Sequence, residues 1–316
     1  MFHYLITRPL GFIIEQIYHL VQNYGLAIIL FTIIIKLILL PLNIKSQKAM
    51  RKQQKIQPII AELQAKYKND QEKLQREMMK VYKENNVSMM GGCLPMLIQM
   101  PILIGLYQVI QRPITYLAGV TEWTQDKLQI VGELRDKIAA SFPDLLGNYA
   151  KMDLENLVKT GQIDISNWCS KLGEHLEWAF NFNFLGLDLS NKPSAALSRI
   201  TSADFSDMGI VLLILIPIFA VFTTWLSSKI MQWQNKSANT AANEQAAQMT
   251  GTMNFIMPLM TGYFTFILPS GMGLYWIISS IVQIVQQIAL NYYFEKKGDD
   301  FDVKLPEKNT KNRKKH

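Results

Sequence analysis

Acidic side chains are missing where this chain is most apolar: its five long apolar runs contain no aspartate, no glutamate and no histidine. Proton-driven pumps and transporters usually place such groups inside the bilayer, so that class has no carriers here. Cysteine is nearly absent. Cys93 and Cys169 lie far apart, on different sides of the hydrophobic stretches, which argues against a disulfide framework. The four histidines, His3, His19, His175 and His316, are scattered, and no pair stands at metal-ligand spacing. There is no glycine-rich phosphate loop with its lysine, and no Gly-x-Ser-x-Gly elbow. The expectation is therefore a protein with no catalytic residues, no metal and no cofactor. Charge is scarce overall, at 18% of residues against about 25% for an average soluble chain.

What the chain has instead is long apolar runs almost free of charge. Crossing about 30 Å of hydrocarbon takes about 20 apolar residues in a helix. Segments 25–42, 93–112, 208–227, 251–268 and 272–293 fit that description, and the last two are separated only by a short link that contains Pro269, Ser270 and Gly271. The expected fold class is all-α: a polytopic membrane protein with five transmembrane helices. Lys and Arg then set the orientation. The stretch 45–84 holds 11 basic and 5 acidic residues, and the tail from Glu295 holds 8 basic and 5 acidic. The long segment 111–207 holds 9 basic and 13 acidic. This alternation predicts the N-terminus outside, the C-terminus inside, a cytoplasmic segment at 43–92, an extracytoplasmic one at 113–207, a cytoplasmic loop at 228–250 and a basic cytoplasmic tail at 294–316.

The connecting segments carry their own patterns. In 1–24, Glu15, Gln16, His19, Gln22 and Asn23 share one helical face, and Phe12, Ile13, Ile14, Ile17, Tyr18 and Val21 fill the other. That is an amphipathic helix suited to the membrane surface. In 43–92, one stripe of Ile56, Ile59, Ile60, Leu63 and Tyr67 faces another of Leu74, Met78, Val81 and Tyr82. Asn69-Asp70 supplies the turn of a helical hairpin, and Pro58 predicts a helix break near Gln57. The hairpin is either a solvated spacer or a docking arm for substrate or anionic lipid. Segment 117–181 shows helical fragments at 154–159 and 168–180 but no interpretable motif.

Lys36 is the most informative residue. It lies about 6 residues from the inner end of its run, roughly 9–10 Å below the cytoplasmic boundary at 1.5 Å per residue. An ammonium there costs about 2.5–3.5 kcal/mol on insertion scales. Either its stem snorkels to the interface, or it faces a water-filled cavity between helices. Other polar residues support the cavity: Thr32 one turn earlier, Gln99 and Gln108 in the second run, Thr223 and Thr224 in the third, Thr261 and Thr265 in the fourth, and Ser279, Ser280, Gln283, Gln286 and Gln287 in the fifth. Each alone is ordinary helix–helix glue. A cavity with only positive formal charge suits acidic or polar peptide segments.

Longer motifs add a family. The run from Gly91 to Ile102 (GGCLPMLIQMPI), followed by Leu106-Tyr107, resembles the signature that opens the second conserved span of YidC-type membrane protein insertases. Ile35-Lys36-Leu37 with Pro41-Leu42, Gln57-Pro58, Glu77-Met78-Met79, the stretch from Phe184 to Leu189 (FLGLDL), and Pro269-Ser270-Gly271 with Leu274-Tyr275 follow in the family's order. The resemblance is to the five-span, Gram-positive-like form and covers nearly all of the chain outside 117–181 and the tail. It implies a non-enzymatic insertase in the bacterial plasma membrane, with a groove open to cytoplasm and lipid and closed outside. It places Lys36 where the family normally has arginine, Thr32 at a groove threonine, and Tyr275 with Trp276 at a substrate-contacting aromatic pair. Lysine keeps the charge of arginine but loses its planar fork. The implied partners are nascent membrane proteins and the Sec translocon; from the charges themselves, anionic lipids suit the hairpin, and the basic tail is either a ribosome-holding segment through RNA phosphates or a disordered topology tail. A channel and a chaperone dependent on another translocon are the rival classes.

Overall fold

The fold is described from a computed structural model, which covers residues 3–87, 94–202, 208–234 and 244–297. The basic tail beyond 297 and the Gly91-Gly92-Cys93 lead of the signature lie outside those residues. Helices dominate. In chain order they are α1 (Arg8–Val21), α2 (Tyr24–Ile38), α3 (Leu40–Lys66), α4 (Gln71–Glu84), α5 (Leu94–Gln111), α6 (Pro113–Leu117), α7 (Gln125–Ser141), α8 (Leu154–Thr160) and α9 (Gln162–Leu172). A two-stranded hairpin follows, β1 (Asn183–Phe184) and β2 (Leu187–Asp188), then α10 (Pro193–Thr201), α11 (Met208–Leu212), α12 (Leu215–Gln234), α13 (Glu244–Ile267) and α14 (Ser270–Lys297). By length and apolarity, Met208–Met231 and Ser270–Lys296 can each cross a membrane, α2 and α3 qualify together as one bent span, and Phe255–Ile267 is a shorter apolar helix.

The described residues form two compact units. The first holds 3–37, 98–202, 208–224 and 258–282; the second holds 38–87, 94–97, 225–234, 244–257 and 283–297.

In the first unit α2 carries an apolar core side of Tyr24, Ala27, Ile28, Phe31 and Ile35, while Leu26, Leu30, Ile33, Ile34 and Leu37 stay exposed as a lipid-facing surface would. On α1 the residues Leu10, Gly11, Ile14 and Ile17 are buried, with Gly11 so close to Tyr116 of α6 that a side chain there would collide. Phe12 and Leu20 point away from the protein. The segment 117–181 folds as a helical insert around Leu128, Val131, Leu134, Ile138, Leu157 and Ile165. Inside it Tyr149 donates to Asp164 at 2.8 Å, and burial pushes the Asp164 carboxyl above the usual carboxylate range. Cys169 is a free, buried thiol, pushed up to about 12 by that burial. The helical fragment expected over 168–180 is corrected: α9 covers Gln162–Leu172 and ends at Gly173, whose left-handed φ of 69° closes it.

In the second unit α3 and α4 form an antiparallel hairpin. Asp70 caps α4 by accepting from the Lys73 amide at 3.0 Å. Ile56, Ile59, Ile60, Leu63, Leu74, Val81, Tyr82 and Val87 make its core, with Tyr67 and Met78 packed alongside. Burying each such Ile or Leu is worth about 1.5–3 kcal/mol. That core explains a second correction: α3 runs unbroken through Pro58, because Ile56, Ile59 and Ile60 must stay on one face to meet α4. The chain turns instead at Leu39, just before α3, where Pro41 occupies the first helical turn and needs no amide donor. Lys45, Lys48, Lys66, Lys68, Lys73, Arg76, Lys80 and Lys83 are exposed around the hairpin.

Candidate functional site

The polar residues of the first unit sit on helices whose apolar neighbours fix their direction. On α2 the buried positions Ile28, Phe31, Thr32, Ile35 and Lys36 recur at three- and four-residue spacing. The packing that buries Ile28 and Ile35 therefore also turns Thr32 and Lys36 inward. Thr32 is 1% exposed and Lys36 7%. The Thr32 hydroxyl donates to its own helix, to the Ile28 carbonyl at 2.7 Å.

Gln99 on α5 is half-buried and donates from Nε2 to the Tyr275 phenol of α14. Ser279, one turn on from Tyr275, is a second hydrogen-bond neighbour of that phenol. Tyr275 is itself buried, at 3% exposed. Trp276 is half-buried and stacks on Phe264 of α13, the ring centroids 6.4 Å apart and the planes 11° from parallel. Thr224 and Ser280 approach to 3.5 Å and link α12 to α14. These contacts need small residues nearby. At Gly273 a side chain would collide with Ile216 of α12, and at Gly262 it would meet Val221 at 2.7 Å.

The residues singled out from sequence thus divide. Gln99 and Tyr275 touch; Trp276 adjoins them on α14; Thr32 and Lys36 share the buried side of α2. Gln283 is half-buried and belongs to the second unit. Gln108 is engaged elsewhere, accepting from the buried Thr7 hydroxyl at 3.1 Å. Among the described residues no group of three or more His, Cys, Asp or Glu stands where it could hold a metal ion. Chemically the arrangement offers a positive charge, amides, hydroxyls and aromatic faces. It can attract, hydrogen-bond and stack, and it holds no nucleophile paired with a base.

Two features had no sequence signal. One is the Phe264–Trp276 stack. The other is a lacing of the N-terminal ends of α2 and α14 by segment 181–191. There the Tyr24 amide donates to the Asn181 carbonyl at 3.0 Å and the Ser270 amide to the Asn191 carbonyl at 2.9 Å.

Comparison with known proteins gives one consistent answer. A model of the 60Kd inner membrane protein family matches residues 16–297. The membrane protein insertase YidC of Clostridium perfringens is 34% identical over 277 residues, which span 87% of this chain and 82% of that protein. The membrane protein insertase YidC of Caldanaerobacter subterraneus is 31% identical over 282 residues, spanning 89% and 92%. A shorter match, 53% identical over 105 residues, relates 33% of this chain to 47% of the membrane protein insertase YidC of Clostridium tetani.

Proposed function

The chain belongs to the 60Kd inner membrane protein family, the YidC-type membrane protein insertases, and on that premise we propose that it moves polar flanks of nascent membrane proteins through a wet groove between its helices. The groove is lined by Lys36 and Thr32 of α2, Gln99 of α5, and Tyr275 and Trp276 of α14. The observation that carries this reading is the burial of Lys36 on the inward side of a membrane helix. An ammonium surrounded by protein at that depth keeps its charge at tolerable cost only with water or polar groups around it.

Five spans build the groove: α2, α5, α11 with α12, α13 and α14, with the N-terminus outside and the C-terminus inside. A nascent chain has to carry its polar flank across hydrocarbon. Water and hydrogen-bonding groups part of the way across shorten the dry path, and Lys36 attracts acidic residues in the flank. A membrane potential positive outside adds about 2.3 kcal/mol per negative charge per 100 mV. The apolar segment then leaves sideways into lipid along α5 and α14. The exposed lysines of the α3–α4 hairpin meet anionic headgroups, the basic tail holds ribosomal RNA phosphates, and the Sec translocon is a partner for larger substrates. No nucleotide or cofactor takes part, and no bond is made or broken by the protein.

Reconstitution into proteoliposomes with no other protein tests this reading. A short single-span substrate supplied to the vesicles is expected to become protease-protected. Protection only when another translocon is added reduces the protein to a chaperone, and ion flux through the empty vesicles makes it a channel.

A further inference from the structure

One turn of the chain outside the groove is built more tightly than its exposure requires. Asp188, at the end of β2, accepts three hydrogen bonds. Its Oδ1 takes the Ser190 amide at 2.9 Å and the Ser190 hydroxyl at 2.6 Å, and its Oδ2 takes the Asn191 side-chain amide at 3.1 Å. Asn167 of α9 donates to the same Ser190 hydroxyl at 3.1 Å. With 188–191 fixed this way, two of its carbonyls face the start of α14. The Asn191 carbonyl accepts both the Ser270 amide, at 2.9 Å, and the Ser270 hydroxyl, at 2.7 Å. The Leu189 carbonyl accepts the Gly271 amide at 3.1 Å. The first amides of a helix have no partner within it, so this turn supplies partners from 79 and more residues away.

The other end of the same segment holds α2. The Asn181 carbonyl takes the Tyr24 amide, and Asn23 donates from its side chain to the Asn183 carbonyl at 2.8 Å. Between the two anchor points the helices pack without room to spare. A side chain added at Gly271 would come within 3.1 Å of Tyr24 and 3.2 Å of Ile28. The Tyr24 ring meets Phe182 edge-on at 4.9 Å, and Tyr24, Phe182, Leu189 and Met272 are all buried to 4% exposure or less. An apolar plug therefore sits at this end of the helices, and it holds only while α2 and α14 stay together.

We propose that the Asp188–Asn191 turn is the latch that keeps the extracytoplasmic end of the groove closed, with Asp188 as its positioning residue. The latch fixes the start of α14, and Tyr275 follows Ser270 by little more than one turn, so it also sets where the groove's aromatic pair stands. The inference rests on the insertase reading for which end is outside and for the groove that the plug closes.

The test uses the full chain in proteoliposomes with Cys93 and Cys169 replaced by serine and alanine, Met272→Cys as reporter, and a membrane-impermeant maleimide added outside. The reporter is expected to be inert with Asp188 intact. In Asp188→Ala, which removes three bonds to a charged acceptor, labelling should quicken about tenfold or more. Asp188→Asn keeps the Oδ1 bonds and should fall between. The labelling of Thr32→Cys from the cytoplasmic side should not change. If Asp188→Ala fails to fold, Ser270→Ala removes only the hydroxyl bond and should quicken labelling about twofold to fivefold. A reporter that stays inert in these variants overturns the latch, and so does equal loosening at Met272 and Thr32, which would mark general destabilisation. Should Thr32→Cys prove inert from the cytoplasm in the parent chain, the wet groove fails, while Met272 still reports on the latch.

Discussion

Three threonines of the first unit and the longer polar side chains along α3 of the second are used in opposite ways. In the first, these threonines return their protons to their own helices: Thr32 to Ile28, Thr223 to Phe219 at 2.8 Å, and Thr265 to Thr261 at 2.8 Å. In the second, longer side chains bond from helix to helix. Asn43 donates to Gln286 at 3.4 Å, Gln47 and Gln287 exchange bonds, and Arg51 donates to Asn291 while lying 4.9 Å over the Phe294 ring. The donors on α3 stand four residues apart, so they form a seam along α14. A threonine has one proton and can place it locally. An amide or guanidinium has several donors and needs outside partners. The first arrangement closes each hydroxyl on its own helix, and the second fastens two helices.

Substitutions can break or sharpen that contrast. The largest effect is expected at Lys36. Lys36→Ala should slow insertion of substrates with acidic translocated flanks about tenfold or more, while Lys36→Arg stays within about threefold of the parent, a gap of at least about 0.7 kcal/mol in barrier. Equal and near-full activity for both would remove the charge from the mechanism. A smaller effect belongs to the seam. Gln47→Leu and Gln287→Leu should each lower the stability of the detergent-solubilised protein by about 1–2 kcal/mol. The double substitution should cost clearly less than the two together, and strict additivity in equilibrium unfolding would show that the bond contributes nothing. The smallest effect is expected at Thr265→Val, less than about 1 kcal/mol in the same assay, because only a bond within one helix is lost. A loss as large as that at Gln47 would erase the distinction between the units.

The two long apolar helices, Met208–Met231 and Ser270–Lys296, were legible because apolarity over 18 or more residues is a local property of the chain. So was the hairpin core, whose two stripes can be read at helical spacing. Pro58 misled because the rule that proline breaks a helix weighs one lost bond, and the pairing of Ile56, Ile59 and Ile60 with α4 outweighs it. Helix α7 went unread although Leu128, Val131, Leu134 and Ile138 stand at helical spacing, since the charges between them hid the stripe. Gly173 did carry the signal that ends α9. Within the candidate site, Gln99 stood out as a polar group in an apolar run, and Tyr275 only through the family resemblance. Their contact spans 176 residues, and the bond between Asn191 and Ser270 spans 79. No local pattern encodes such pairings; they follow only from how the helices pack.

The central claim is that water reaches Lys36. Thr32→Cys and Gln99→Cys, each in a chain without its native cysteines and with Lys48→Cys as the exposed hairpin control, can be treated with a membrane-impermeant thiol reagent on the cytoplasmic side. Both groove positions are expected to react, more slowly than the control but to completion. If both remain unmodified while the control is fully labelled, the space between the helices is dry and the proposed route is contradicted.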